Sequence, residues 1–369
     1  MKIKDYWQFI LEKSRSEISV ILLVVTANSG ATPGKAGFKM AAAADGGLAG
    51  SIGGGKLEYD LVEDARALLC RADPAPLLRR LRLEDDGSPE ANGMICGGEQ
   101  SVLLYPLRPA DSSTIERILA AIQANAAGAW SITNSGMLWM GEAGTSGILP
   151  ENNTRQAELL PPGRIEPRDA RPDAGSGSSR AEDESVAVAV LYQERIEPRD
   201  TLYIAGGGHV SLALSELMSL LEWRIVILDD RPEVDTLKHN RWADVKIITP
   251  FAEIARHIPP GDKSWAVIMT PSHRADEIVL RQLVRLPLRY LGMMASRAKA
   301  AEILEHLRGD GVAEEQLQRV CTPVGLPISS HTPAEIAVSI AAQLIQIRNQ
   351  TTTKPDHRQG SAADPHHSF

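Results

Sequence analysis

One cysteine of the sequence stands where a ligand could reach it. Cys96 is followed by Gly97 and Gly98, and two residues without side chains let a bulky group approach the sulfur and the adjacent backbone N–H groups. A thiolate is a soft ligand for a metal and a carrier of sulfur. We therefore predict that these three residues bind a cofactor and that Cys96 is a metal ligand. A small buried cysteine in a tight turn is the alternative.

A second glycine-rich segment leads into the first long predicted helix. Gly53, Gly54 and Gly55 are followed by Lys56 and Glu58. The free N–H groups and the dipole at the start of a helix attract an anion, so we predict that these five residues bind a phosphate or another oxyanion. In the alternative interpretation, Lys56 is solvated and Glu58 only complements the helix dipole.

A third glycine-rich segment is typical of the nucleotide turn in a βαβ unit. Gly206, Gly208 and Ser211 form a G-x-G-x-x-small pattern between a predicted strand and a predicted helix, where the backbone can approach a pyrophosphate. Asp229 lies 23 residues after Gly206, at the end of the next predicted strand. A carboxylate at that point accepts a hydrogen bond from a ribose hydroxyl. With the adjacent His209 and Asp230, these residues predict a site for NAD(P), although the fold alone does not require that ligand.

Two later segments place titratable side chains directly after predicted strands. His273 and Asp276 lie in "TPSHRADE", and Arg297 and Lys299 lie in "GMMASRAKA". Ligands of doubly wound sheets bind at the carboxyl ends of the strands, so we predict His273 and Asp276 on the same rim as Gly206, with Arg297 and Lys299 near the start of the next helix. His273 could shuttle a proton, and the two cations could bind a phosphate. The alternatives are a surface histidine, an aspartate that serves a helix N-terminus and a solvated basic pair.

The elements around these segments predict an α/β fold. An apolar run over residues 18–26 indicates a buried strand, the spacing of leucines after Gly55 indicates a helix, and residues 101–107 form another strand. From Thr201 onward, predicted strands at 245–248, 265–270 and 289–293 alternate with helices at 276–284 and 297–307. This alternation predicts a Rossmann-like doubly wound parallel sheet. Thr332 and Glu335 have the spacing of a capping box at the start of a last helix, Pro333–Arg348.

Composition suggests where the chain divides. We predict an N-terminal mixed α/β domain over residues 1–150, a linker and connecting strand over 151–198, a Rossmann-like domain over 199–349 and a disordered tail over 350–369. The linker is rich in Pro, Gly and Ser. The hexapeptide RIEPRD occurs at 164–169 and again at 195–200, which we interpret as a local duplication rather than a functional repeat.

Charge and cysteine content exclude several classes of protein. The 369 residues carry a net charge of −8 with a pI near 5.7, which argues against a nucleic-acid binder. Three cysteines without a CxxC pair leave neither a disulfide framework nor a four-cysteine zinc site, and we interpret Cys70 and Cys321 as structural. The sequence has no predicted signal peptide or membrane-length apolar run. We expect a cytoplasmic protein, with neither nucleic acid nor membrane as partner, that forms a homodimer.

The motifs together resemble a known family. "VTANSGATPGKAGFKM", "GSIGGGKLE", "MICGGEQSVLLYPL", "LYIAGGGHV", "ILDDRPE", "TPSHRADE", "YLGMMASRAKA" and "PVGLPISSHTPAEIAVSIAAQ" occur in the order found in the xanthine dehydrogenase accessory factor (XdhC/CoxI) family. The resemblance runs from about Ile21 to Arg348. It implies an N-terminal domain followed by a Rossmann-type domain. It also implies a non-catalytic chaperone that binds the molybdenum cofactor and assists its sulfuration and insertion into a molybdenum hydroxylase.

The resemblance also assigns residues and partners. Cys96 matches the cysteine of the family's Cys-Gly-Gly motif, and Gly53 to Glu58 match its glycine-rich motif. Lys56 is a departure, because many relatives have cysteine or histidine there, and it leaves Cys96 as the only thiol of the two motifs. The implied partners are a client hydroxylase of the xanthine dehydrogenase type and a cysteine desulfurase. Two other functions stay open: an NAD-dependent oxidoreductase with His273 as acid or base, and a nucleotide sensor.

Overall fold

The computed structural model describes residues 2–82, 98–141 and 189–350, and the chain separates into an N-terminal unit, residues 1–198, and a C-terminal unit, residues 199–369. The described helices of the N-terminal unit are α1 (Ile3–Arg15), α2 (Gly55–Leu69) and α3 (Ser112–Ala124). Its described strands are β1 (Val20–Gly30), β2 (Lys39–Ala43), β3 (Leu48–Ser51), β4 (Leu77–Arg82), β5 (Gly98–Pro106), β6 (Gly128–Thr133), β7 (Gly136–Gly141) and β8 (Val190–Ile196).

The N-terminal unit is built around strand β1. An antiparallel five-stranded sheet has the order β3-β2-β1-β5-β4, and a three-stranded antiparallel sheet has the order β7-β6-β8. Because side chains alternate along a strand, Ile21 and Leu23 pack with α2 in one core, whereas Leu22 and Val24 pack with α1 and α3 in another. Burial on both faces explains why β1 has a continuous apolar sequence.

The C-terminal unit alternates strands and helices. Its described helices are α4 (His209–Leu220), α5 (Asp235–Lys238), α6 (His273–Leu283), α7 (Arg297–Gly309), α8 (Glu314–Gln318) and α9 (Pro333–Gln350), with a 3-10 helix at Phe251–His257. Its strands are β9 (Thr201–Ala205), β10 (Arg224–Asp229), β11 (Val245–Ile248), β12 (Gly261–Ile268), β13 (Leu288–Met293) and β14 (Val320–Cys321).

These strands form one parallel sheet in the order β11-β10-β9-β12-β13-β14. One face packs against α6, α7 and the 3-10 helix, and the other packs against α4 and α9. The predicted fold class, a mixed α/β domain followed by a Rossmann-like doubly wound sheet, is therefore confirmed. The strand order reverses between β9 and β12, where such sheets bind ligands at the carboxyl ends of their strands.

Local predictions agree with these elements to within a few residues. The capping box at α9 is present, since Thr332 Oγ1 accepts from Glu335 N at 3.3 Å and Glu335 Oε2 accepts from Thr332 N at 3.0 Å. Helix α6 begins at His273 rather than Asp276, and β12 begins at Gly261 and ends at Ile268. Residues 151–188 of the predicted linker and 351–369 of the predicted tail lie outside the described ranges.

Candidate functional site

The glycine turn before α2 is closed by a carboxylate of the helix itself. Gly53, Gly54 and Gly55 have φ angles of 129°, 75° and 72°, a region that favours glycine. Glu58 Oε2 accepts hydrogen bonds from Ile52 N at 3.0 Å and Gly54 N at 3.0 Å. Glu58 therefore occupies the position that the sequence assigns to an external anion.

The electrostatics of Glu58 fit this role. The same carboxylate oxygen accepts from the Ser51 hydroxyl at 2.7 Å. Burial by itself raises the pKa of Glu58, but the hydrogen bonds from Ser51, Ile52 and Gly54 outweigh it and lower the pKa below its usual value. Glu58 is therefore an ionised structural anion at neutral pH.

A buried glutamine joins the turn to a second loop. Gln100, 1% exposed, accepts from Gly34 N at 3.3 Å and donates to the carbonyl oxygen of Ile52 at 3.2 Å. A Cβ atom at Gly53 would lie 2.6 Å from Gly34 N, so the two loops pack backbone against backbone. Gln100 belongs to β5, two residues after Gly98. Three segments, at 28–38, 51–58 and 98–100, therefore converge at one end of the five-stranded sheet.

Gly98 is required by packing. It pairs with Gly30 across β1 and β5, and a Cβ atom there would overlap the carbonyl oxygens of Ala31 and Ser29. This explains one glycine of the Cys-Gly-Gly motif without reference to the sulfur. Cys96 and Gly97 lie outside the described residues, so their assigned roles stay predictions.

Two lysines flank the converging loops. Lys56, in the first turn of α2, and Lys35, directly after Gly34, are both exposed. Elsewhere in the same unit, Cys70 ends α2 with its side chain exposed rather than buried. Exposed lysines are available to an anionic ligand, and the exposed Cys70 provides a control thiol for experiments.

In the C-terminal unit, the glycine turn between β9 and α4 combines a tight position with an open one. Gly206, with φ of 111°, lies where a Cβ atom would overlap the carbonyl oxygen of Met269. Gly208 caps α4 and has no atom within 4 Å of its Cβ position. Gly206 therefore forms the tight turn, and the backbone at Gly208 is sterically open. His209 is exposed at the first position of α4.

Asp229 is committed to internal partners. It is fully buried, and its carboxylate accepts from Gly207 N at 2.7 Å and from Arg231 Nε and an Arg231 terminal nitrogen at 2.9 Å each. Burial by itself raises the pKa of Asp229, but the hydrogen bonds from Arg231 and Gly207 outweigh it and lower the pKa below its usual value. The predicted ribose contact would have to compete with both partners. The neighbouring Asp230 is partly exposed.

The remaining candidates gather at the start of α6 and α7. Asp276 is 3% exposed and accepts from Thr270 N at 3.1 Å and Thr270 Oγ1 at 2.6 Å. Burial raises the pKa of Asp276, and this effect is only partly offset by the hydrogen bonds from Thr270 and the electrostatic influence of His273 and Lys299, which lower the pKa. His273, Arg297 and Lys299 are exposed.

The described residues hold no preformed metal cluster. No group of three or more His, Cys, Asp or Glu side chains within the described ranges could hold a metal ion, and Cys96 lies outside those ranges. Across the same ranges, no helix is both long and apolar enough to span a bilayer.

Several residues at these sites were missed by the sequence predictions. Gln100, Gly34 and Lys35 converge with the first turn, and Arg231 and Thr270 bind the two buried aspartates. One signal was present: the pair Gly-Lys occurs at Gly34-Lys35 as well as at Gly55-Lys56. The other partners depend on tertiary contacts that spacing does not encode.

Two family profiles match the sequence. Residues 14–81 match the XdhC and CoxI family, and residues 202–344 match the XdhC Rossmann domain. Together the matches span more than half of the 369 residues. The first includes the Gly53–Glu58 turn, and the second includes every candidate residue of the C-terminal unit. Cys96, Gly97 and Gly98 fall between the two matched ranges.

Two curated relatives align with part of the chain. An uncharacterised Escherichia coli protein, YqeB, is 31% identical over 172 residues, which are 43% of this chain and 30% of the relative. A Bacillus subtilis protein described as a probable xanthine dehydrogenase subunit is 27% identical over 150 residues, which are 40% of this chain and 43% of the relative. The alignments therefore span less than half the length of either relative.

One solved structure has the same fold over nearly the whole chain. A crystal structure of a xanthine dehydrogenase from Bacillus halodurans superposes with a TM-score of 0.67, covering 95% of this chain and 98% of that one. The two sequences are 22% identical, so the likeness concerns the fold.

Proposed function

Since the chain belongs to the XdhC and CoxI family, we propose that it is an accessory protein for the maturation of a molybdenum hydroxylase of the xanthine dehydrogenase type. The name of the Bacillus subtilis relative, a probable xanthine dehydrogenase subunit, supports this client class. In this function the protein binds the molybdenum cofactor as cargo and releases it to the client. A cysteine desulfurase supplies the sulfur for sulfuration of the cargo.

The convergence of three loops in the N-terminal unit is the observation that carries this proposal. Gln100 ties the loop at Gly34 to the turn at Ile52, and β5 begins beside them at Gly98. Cys96 precedes Gly98 by two residues in the sequence. A thiolate suits molybdenum as a soft ligand.

The exposed lysines on the converging loops suit an anionic cargo. The molybdenum cofactor carries a phosphate-bearing pterin, and Glu58 already accepts the N–H groups of Ile52 and Gly54. The phosphate would therefore be bound by side-chain cations, Lys35 and Lys56, both exposed on the converging loops. Cytoplasmic location and a homodimer stay predictions from the sequence.

An NAD-dependent oxidoreductase is less well supported. That reaction would need a proton donor or acceptor beside the nicotinamide, and the candidate, His273, is exposed at the first position of α6. Its neighbour Asp276 is engaged by Thr270. His273 is therefore open to solvent, and the buried Asp276 already accepts from Thr270, so neither side chain is placed as the acid or base of such a reaction.

Cargo analysis tests the proposal. The full chain is purified from cells with active molybdenum-cofactor synthesis, and bound molybdenum and pterin are measured for wild type, Cys96→Ser and Cys70→Ser. We expect wild type and Cys70→Ser to carry both, and Cys96→Ser to lose at least nine-tenths of each, roughly the effect of one lost ligand worth 1.4 kcal/mol. Wild type without molybdenum or pterin would refute the cargo function. Equal loading of all three proteins would remove Cys96 from the ligand set.

A further inference from the structure

Two short segments of the N-terminal unit have the same sequence pattern. Residues 34–38 are GKAGF and residues 55–59 are GKLEY. Each segment is a glycine, then a lysine, then an aromatic residue three positions after the lysine. The structure brings the two segments together, because Gln100 bonds to both loops and Gly53 packs against Gly34. The proposed function uses the two lysines and gives the two aromatic rings no role.

The two rings are exposed to solvent. Phe38 is 42% exposed and Tyr59 is 65% exposed. Among the Phe, Tyr and Trp side chains of the described ranges, these are the two exposed ones, and the others are buried or partly buried. A single exposed apolar side chain is ordinary, but here both exposed rings belong to the converging loops and both follow an exposed lysine. This coincidence indicates a surface that a ligand covers.

The backbone fixes Phe38 relative to its lysine. Phe38 N donates to the carbonyl oxygen of Lys35 at 2.9 Å, and Val25 N donates to the carbonyl oxygen of Phe38 at 2.9 Å. Phe38 directly precedes β2, where side chains alternate between the two faces of the sheet. Phe38 therefore shares the face of Met40, which packs with α2.

Tyr59 is fixed on α2 close to the glycine turn. The helix buries Leu57 and Leu61, and Tyr59 lies between them in sequence, so its side chain leaves the other side of the helix. Lys56 and Tyr59 are three residues apart and are therefore neighbours on the helix surface. Glu58 ties this part of the helix to the turn, so the lysine and the ring keep their positions relative to it.

A cation and an aromatic face together fit a phosphorylated planar heterocycle. A lysine attracts the phosphate, and the face of a Phe or Tyr ring stacks on a flat conjugated ring. Pterins and nucleotides share this chemistry. We propose that Phe38 and Tyr59 bind the planar pterin ring of the cargo, beside the lysines that bind its phosphate. The choice of a pterin rests on the proposed function, and the rings add selection for the heterocycle that the lysines cannot provide.

Fluorescence titration of the full chain tests the ring contact. Hydroxymethylpterin and its phosphate ester are the probes, and AMP and inorganic phosphate are the competitors. The proteins are wild type, Phe38→Leu and Tyr59→Leu, because leucine keeps apolar bulk and removes the aromatic face. We expect the pterin phosphate to bind wild type with quenching of its fluorescence, and to bind each leucine variant about fivefold more weakly.

Matched variants separate the ring from its surroundings. Phe38→Tyr and Tyr59→Phe keep an aromatic face, and Leu48→Ala removes apolar surface that is 47% exposed at the other end of the β2–β3 pair. All three should bind the pterin phosphate within about twofold of wild type. Lys35→Gln should weaken binding of the pterin phosphate and leave binding of hydroxymethylpterin unchanged. Unfolding temperatures show that all variants are folded.

Loading in cells separates this inference from the proposed function. If wild type carries molybdenum and pterin and the double variant Phe38→Leu/Tyr59→Leu carries as much, the ring contact is wrong and the cargo function stands. If wild type carries neither but binds the pterin phosphate through the two rings, the cargo function fails and the pterin site stands. The inference is also overturned if no pterin binds wild type, if the leucine variants bind like wild type, or if AMP competes as well as the pterin phosphate.

Discussion

Each unit places a glycine-rich turn between a strand and a helix, and in each a carboxylate of the chain accepts from the turn. In the N-terminal unit, Glu58 comes from the helix and takes the N–H groups of Ile52 and Gly54. In the C-terminal unit, Asp229 comes from the neighbouring strand, takes the N–H group of Gly207 and leaves Gly208 facing open space. The first turn therefore holds its own anion, whereas the second leaves a backbone position for an external one.

This difference limits what a glycine turn can indicate. A helix N-terminus after glycines attracts an anion, but a carboxylate from the same chain can satisfy it. Under the proposed function, recognition of cargo in the N-terminal unit would therefore depend on side chains, among them those of Cys96, Lys35 and Lys56. Recognition in the C-terminal unit can use the backbone of its turn.

The largest expected effect comes from an alanine substitution at Gly206 of the C-terminal turn, and the same substitution at Gly208 should have a small effect. Gly206→Ala adds a Cβ atom that overlaps the carbonyl oxygen of Met269, at a φ of 111°. Steric overlap and left-handed backbone strain together should lower the free energy of unfolding by about 3 kcal/mol. Urea unfolding monitored by hydrogen-exchange mass spectrometry reports on the C-terminal unit separately. It therefore measures the loss in that unit's free energy of unfolding.

Gly208→Ala is the matched control. Its φ is −76°, and its Cβ position is free of atoms within 4 Å, so its unfolding free energy should change by less than about 1 kcal/mol. Equal destabilisation by the two alanines would contradict the contrast between a packed and an open glycine.

The next effect concerns the carboxylate of the C-terminal turn. Asp229→Asn removes the charge that pairs with Arg231 and leaves one oxygen acceptor where two now serve Gly207 and Arg231. The loss of charged hydrogen bonds in a buried site should destabilise the C-terminal unit by about 2 kcal/mol at pH 7. The same urea and hydrogen-exchange measurement checks this value.

The pH dependence of that loss has a defined sign. The folded state lowers the pKa of Asp229, so its stabilising contribution is present above the unfolded pKa of about 4 and is lost as the pH falls through the folded pKa. The difference between wild type and Asp229→Asn should therefore shrink below about pH 4. A difference that grows on acidification would overturn the assignment of an ionised Asp229.

A smaller effect is expected at the N-terminal turn. Glu58→Gln removes the charge that accepts from Ser51, Ile52 and Gly54, but Glu58 is only half-buried, so the N-terminal unit should lose about 1 kcal/mol. Glu63→Gln is the control, because Glu63 pairs with Arg66 on the exposed surface of the same helix, and its replacement should cost less than about 0.5 kcal/mol. Hydrogen exchange of α2 peptides in urea gives both values. A loss at Glu58 no larger than that at Glu63 would show that the turn does not depend on its internal anion.

The sequence predicted the elements better than their partners. Apolar periodicity located β1, α2 and the strands of the parallel sheet, and Thr332 with Glu335 located the start of α9, because these signals are local. The contact of Gln100 with Ile52 joins residues 48 positions apart, and no spacing rule predicts it. The hydrogen bonds from Arg231 to Asp229 join residues that are close in sequence. However, an aspartate at the end of a strand has the same sequence pattern whether it binds a ribose or a neighbouring arginine. The motif at Cys96 stays a prediction because it lies outside the described residues.

The smallest expected effect is that of replacing Asp276, a third carboxylate, which we compare with Glu58 and Asp229 at the two turns. Asp276 is buried, its two hydrogen bonds come from Thr270, and its pKa is raised. The folded state therefore binds its proton more tightly than the unfolded state, so the ionised carboxylate costs stability at neutral pH, and this cost fades as the pH falls toward about 4. Asp276→Asn keeps an oxygen acceptor for Thr270 and should raise the free energy of unfolding of the C-terminal unit by less than about 1 kcal/mol at pH 7, with the gain disappearing near pH 4.

Asp262→Asn, at an exposed position of the same unit, is the control for Asp276→Asn and should change the free energy of unfolding by less than about 0.5 kcal/mol at either pH. Asp229→Asn and Asp276→Asn should thus have opposite signs at pH 7, although both replace a buried aspartate by its amide. The physical reason is the partner: Arg231 stabilises the charge of Asp229, whereas burial dominates at Asp276. If Asp276→Asn destabilises the unit at pH 7, then the Thr270 hydrogen bonds stabilise the carboxylate enough to make Asp276 a third internal anion, like Asp229 and Glu58.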